Sequence, residues 1–91
     1  MNLSDYVLRA LAHRARIRAA VGSAFEVTAD PAERVRRLDV VNHVAKELGV
    51  RVVVRSFMNE VRAVVEDMGA EAIKPRNARW FRKLRRRATG G

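Results

Sequence analysis

The clearest periodicity in the chain runs from Phe57 to Met68. Phe57, Val61, Val64, Val65 and Met68 recur at i, i+4, i+7, i+8 and i+11, which lays one apolar stripe along three helical turns. Arg55, Asn59, Arg62, Ala63 and Glu66 fall on the opposite side. Ser56 has the chemistry of an N-cap and Gly69 that of the residue just past a helix end, so a helix is predicted over 56–68. A second stripe, Val40, Val41, Val44, Ala45 and Leu48, predicts a helix over 40–48, opened by Asp39 and closed by Gly49.

The remaining pattern is less regular. Residues 4–25 are rich in Ala, Leu and Arg and predict a long helix capped by Ser4 or Asn2. Leu3, Val7, Leu11, Val21 and Phe25 gather on one side of it, Ile17 and Ala10 lie elsewhere, and Arg14 and Arg18 intrude on the apolar side. Asp30-Pro31-Ala32-Glu33 carries a helix-start signal. It leaves two readings: one helix over 31–48, or a short extended piece at Arg34 to Arg37 before a shorter helix, of which the second is favoured. Val50 to Arg55 is β-branched and reads as an extended connection or short strand. After Gly69 the period changes: Ala70 to Lys74 and Ala78 to Leu84 read as two strands around Pro75-Arg76-Asn77. Residues 88–91 read as a flexible tail.

Composition narrows the picture. An apolar fraction of 48% suits one small globular domain, expected over 1–87. With only five aromatic residues, the core must be mostly Val, Leu, Ala and Met. The absence of cysteine removes disulfides, thiolate zinc sites and cysteine nucleophiles. His43 and Glu47 stand one helical turn apart without a third group, and His13 is isolated, so no metal site, cofactor or catalytic constellation is expected. No apolar run approaches a membrane span and the first residues lack the order of a signal peptide; a cytoplasmic location, nucleoid-associated if the protein is bacterial, is the default.

Charge changes the picture most. The net charge is +9, and nearly all of it lies at one end. Residues 1–73 hold 11 Lys/Arg against 10 Asp/Glu, whereas Lys74, Arg76, Arg79, Arg82, Lys83, Arg85, Arg86 and Arg87 come without a single acid. Such a segment calls for a polyanionic partner.

The predicted order is helix, short strand, helix, helix and basic hairpin. Two short helices with a brief connection form a helix-turn-helix, and a hairpin straight after it is a wing over about 70–85. The fold class expected is mainly α with a small β-hairpin (α+β), a winged helix-turn-helix. Phe25 and Val27, Asp30-Pro31, Val35…Leu38-Asp39…Leu48-Gly49, Arg55-Ser56-Phe57…Val61…Met68-Gly69 and Arg79-Trp80-Phe81 carry a resemblance. Over roughly 24–85 this pattern resembles the winged-helix domain at the C-terminal end of poxvirus D5-like primase-helicases, found in phage and plasmid replication proteins. The chain departs from that pattern in having Val and His in place of an aromatic pair within 40–48, and Arg82 in place of a glycine. The resemblance implies a stand-alone or excised DNA-binding module, since 91 residues cannot also hold primase and ATPase parts.

The residues reach the same expectation unaided. In a major groove, Arg reads guanine and Asn reads adenine, so Arg55, Asn59 and Arg62 are the candidate base contacts. Ser56 and the helix N-terminus suit a phosphate. Lys74, Arg76, Arg79, Arg82, Lys83 and Arg85 are the candidate wing contacts to phosphates or the minor groove. Trp80 and Phe81 are neighbours and must point to opposite sides of a strand; Phe81 is expected in the core and Trp80 as a partly exposed lid that could stack on a base. The expected partner is double-stranded DNA, with a homodimer through the first helix as a further expectation and an enzyme not expected. Two alternatives stay open: residues 77–87 as a basic amphipathic helix on an anionic membrane or acidic protein groove, and structured RNA.

Overall fold

A computed structural model describes residues 3–88; the caps and tail expected at Asn2 and at 89–91 lie outside the described residues. The order is α1 (Leu3–Ala24), β1 (Phe25–Val27), β2 (Arg34–Arg36), α2 (Arg37–Leu48), α3 (Arg55–Met68), β3 (Glu71–Ile73), β4 (Trp80–Arg82) and β5 (Leu84–Arg86). This is an α+β domain of three helices and small antiparallel sheets. No helix among the described residues is long and apolar enough to cross a membrane.

The two periodic stripes become the centre of the core. Val40, Val41, Val44 and Ala45 of α2 and Phe57, Val61, Val64 and Val65 of α3 are buried. Both helices end alike. Gly49 and Gly69 take left-handed φ values of 69° and 115°, and the next amide bonds back to the helix, Val50 N to Ala45 O at 2.8 Å and Ala70 N to Val65 O at 3.3 Å. A side chain at either φ would be strained, which is why glycine marks these ends.

The helix starts differ from the caps expected. Ser56 is the second residue of α3, whose N-cap is Val54, and Asp39 is the third residue of α2, whose N-cap is Arg36; neither N-cap side chain accepts a bond from the helix amides. The reason at α2 is that β2 runs directly into the helix, so the junction is fixed by strand pairing. Asp39 instead places a carboxylate in the positive first turn. Asp30-Pro31 starts no helix. Glu33 N bonds to Asp30 O at 3.2 Å and the Asp30 side chain accepts from Ala32 N at 2.9 Å, an Asx-closed turn.

Residues 77–87 hold two short strands, β4 and β5, and not an amphipathic helix. β4 pairs antiparallel with both β2 and β3, giving the order β2-β4-β3, with Val35 and Ala72 opposite Phe81. β5 pairs with β1, Val27 opposite Leu84, so β1 and β2 lie end to end along one partner segment while 28–33 loops out between them. Lys83 is the pivot: its φ is 62°, its amide donates to Glu33 O at 2.8 Å, and its carbonyl accepts from Thr28 N at 2.9 Å. Sequence reading missed the β1–β5 pair.

Strand alternation sets the two sides of the sheet. Phe81, Val35 and Leu84 are buried against the helices and Trp80 is half-buried on the outer side. In α1 the face suggested by the sequence packs only at its far end, at Val21 and Phe25, and Ile17 joins it. Ile17, Ala20 and Val21 are buried, whereas Val7, Leu8 and Leu11 are 49, 63 and 59% exposed. Among the described residues, the buried positions of this 22-residue helix lie in its second half; at about 1.5 Å per residue it outruns the short elements it packs on.

Candidate nucleic-acid interface

The hairpin tip is built by a tight turn. Ala78 N bonds to Pro75 O at 3.0 Å, and the two central residues, Arg76 and Asn77, have φ of 50° and 66°. Two consecutive positive φ values define a type I′ turn, whose twist matches that of the strands it joins. Asn77 tolerates this region; Arg76 does so at a cost of about 1–2 kcal/mol.

Between α2, α3 and this hairpin lies a cleft of about 1210 Å³. Arg36 and Arg37 line it from the β2–α2 junction, Arg55 and Arg62 with Asn59 from α3, and Lys74 and Arg79 from the hairpin, with Asp39 as the acid among the lining residues. Thus the three candidate base contacts Arg55, Asn59 and Arg62 and two of the wing candidates share one concavity. Arg76 stands exposed at the tip outside it, and Ser56 is exposed on α3 without lining it. Arg62 also bonds along its own helix to Glu66 at 2.7 Å, a half-exposed pair.

Arg37, not singled out from the sequence, fixes the cleft. Its Nε donates to Trp80 O at 3.1 Å and its Nη2 to Ile73 O at 2.7 Å, tying the start of α2 to both strands of the hairpin. Partial burial, followed by the nearby charges of Arg62 and Arg79, pushes its pKa below the ordinary arginine value. An anion beside Arg37 would offset the like charges of Arg62 and Arg79. The signal for Arg34, Arg36 and Arg37 was present in the sequence as Arg34-Val35-Arg36-Arg37, where one apolar residue sits among three cations.

The rest of the basic segment lies elsewhere. Arg82 Nε donates to Glu71 at 2.9 Å and Lys83 Nζ lies 2.9 Å from the same carboxylate. These donors, Arg82 first, hold the Glu71 carboxyl below its usual range. Arg85 bonds Glu26 at 2.8 Å, Arg87 lies 3.5 Å from Glu26, and Arg86 lies 3.4 Å from Asp39. Trp80 is on the outer sheet face, with the guanidinium carbons of Arg34 and Arg36 at 4.5 and 4.9 Å from its ring centre.

The histidines serve the fold. His43 Nε2 is 3.0 Å from both Ser23 Oγ and Ala20 O, and its ring meets Phe25 edge-on; His13 Nε2 lies 2.9 Å from Glu60. Among the described residues no group of three or more His, Cys, Asp or Glu could hold a metal ion. No protein-family model, curated protein or solved structure matches this chain.

Proposed function

We propose that this chain is a non-catalytic duplex-DNA-binding module, a winged helix-turn-helix acting in replication or transcription regulation. In this reading α3 enters the major groove and the β3–β4 hairpin lies on phosphates or in the adjacent minor groove. The observation that carries it is the cleft: Arg36, Arg37, Arg55, Arg62, Lys74 and Arg79 converge from four elements on one concave surface where Asp39 is the acid. A surface that is merely solvated interleaves signs. Cations from separate elements aimed at one space fit a polyanion whose charges are themselves spaced along a curve.

Topology supports the winged-helix part of the proposal. The strand before α2 pairs with the second strand of the hairpin that follows α3, so the hairpin is held beside α3 by a third strand and by Arg37. Kinship with the C-terminal domain of D5-like primase-helicases belongs to the same proposal and rests on the sequence pattern alone.

The roles divide by chemistry. Arg55 and Arg62, with Asn59 between them on the exposed face of α3, are placed to read base edges, each good pair being worth about 1–3 kcal/mol of discrimination. Lys74 and Arg79 are placed to neutralise phosphates, which carry affinity without sequence. The test is a binding series on duplexes selected from a random pool. Arg55→Ala and Arg62→Ala should narrow the gap between selected and scrambled duplexes about tenfold or more. Lys74→Ala and Arg79→Ala should weaken both alike. Identical behaviour of the two pairs would remove groove reading by α3.

A further inference from the structure

We infer that the duplex-contacting surface continues past the cleft onto the outer face of β2, where Arg34 and Arg36 are phosphate anchors set out by Trp80; this rests on the duplex-binding reading above. Arg34 and Arg36 flank buried Val35, so strand alternation puts both on the outer side of the sheet. Trp80 sits opposite Arg36 in the register and presents its ring to both guanidiniums. Neither arginine has a carboxylate partner among the described residues.

That arrangement differs in kind from the Arg82–Glu71 pair across the same sheet. A carboxylate consumes the donors of a guanidinium, whereas an indole face holds the planar group in place by cation–π attraction and leaves its N–H groups directed outward. The long side chains are thereby ordered before a phosphate arrives, which lowers the entropy lost on binding. Trp80, already covered by guanidiniums, acts as their platform in place of stacking on a base.

Continuity ties this face to the cleft. A second depression of about 440 Å³ is lined by Arg34, Arg36 and Trp80 with Arg85 and Arg86, against Glu33 and Asp39. Arg36 and Asp39 line both depressions, so a backbone leaving the cleft at the start of α2 passes directly onto Arg36 and then Arg34. The occupant that fits is the same duplex, its phosphates beyond the stretch read by α3.

The experiment compares the unaltered protein with the double variant Arg34→Gln/Arg36→Gln, measuring affinity for one long duplex across a salt series. Two lost phosphate contacts should make the log–log salt dependence shallower by about 2, at roughly 0.9 per phosphate, while preference for the selected sequence is retained. An unchanged slope overturns the inference. Trp80 is the sole tryptophan, so emission of the unaltered protein gives a second readout that needs no variant to fold. A change on saturation with duplex is expected, and none overturns the inference. If the unaltered protein binds duplex steeply with salt and the double variant matches it, the β2 extension falls and Arg36 drops out of the cleft contacts, while Arg37, Arg55, Arg62, Lys74 and Arg79 still carry the duplex reading. If the unaltered protein fails to bind duplex, the duplex reading falls and takes the extension with it.

Discussion

The eight cations after Ile73 form one basic run in the sequence and two groups in the fold. Lys74, Arg76 and Arg79 surround the hairpin turn, with no carboxylate partner among the described residues. Arg82, Lys83, Arg85, Arg86 and Arg87 each reach Glu71, Glu26 or Asp39. A charge count along the chain therefore overstates what the C-terminal strand can offer a ligand. The neutralising acids come from far away: Glu26 and Arg85 are 59 residues apart and meet because β1 pairs with β5. The second group is not inert. Its pairs are part-exposed, and solvent-screened ion pairs hold only weakly, so a phosphate can compete for the arginines. It would, however, displace a carboxylate where the turn group only sheds water and ions.

That difference is open to direct attack. The largest effect expected is on Lys74→Ala/Arg79→Ala, which should flatten the log–log salt dependence of duplex affinity by about 2. Arg85→Ala/Arg86→Ala should flatten it by less than half as much. Equal effects in a filter-binding salt series would erase the distinction between the groups. Next in size is Glu71→Gln, which frees Arg82 and Lys83 together. Duplex affinity at low salt should rise several-fold, and the salt dependence should steepen by about 1–2.

Glu71 also carries a pH signature. Its folded pKa lies below the ordinary value of 4.5, held down first by the Arg82 hydrogen bond and then by that of Lys83. Its contribution to stability is thus present above 4.5 and is lost as pH falls through the lowered folded value. Melting temperatures of wild type and Glu71→Gln should differ at neutral pH and converge in strong acid; a gap that persists there would point to a role other than charge. The smallest effect concerns the turn. Arg76→Gly relieves the positive φ and should stabilise by about 0.5–1 kcal/mol, a few degrees in Tm, while duplex affinity drops by one phosphate contact. Calorimetry and binding on the same sample would show the two moving in opposite directions.

What the sequence made legible follows from the physics each element depends on. The stripes of α2 and α3 and their glycine ends are local properties, and their side chains and φ values appear where the 3.6-residue period and the αL requirement put them. The extended piece read at Arg34 to Arg37, of which Arg34–Arg36 is strand and Arg37 opens α2, and the opposite facing of Trp80 and Phe81 are local too. By contrast, the burial of Ile17 and the exposure of Val7 and Leu11 depend on where α1 runs out of core, which no periodicity encodes. Ser56 and Asp39 looked like caps because capping is read from residue type, but a strand running straight into α2 and the extended Val54 set those starts instead. The candidate site split on the same line. Arg55, Asn59 and Arg62 came together with Lys74 and Arg79 because helix face and hairpin register are short-range. Arg37 entered the cleft, and Arg82, Lys83 and Arg85 left it, through pairings across 11 to 59 residues.

In the proposed function, cations gathered between α2, α3 and the hairpin neutralise the phosphates of a duplex. Its most direct test is the affinity of the unaltered protein for a random-sequence duplex measured over a range of salt concentrations. With three or more phosphates engaged, log affinity should fall against log salt with a slope of about −3 or steeper. A slope near zero, or binding confined to anionic vesicles at the same salt, would contradict it.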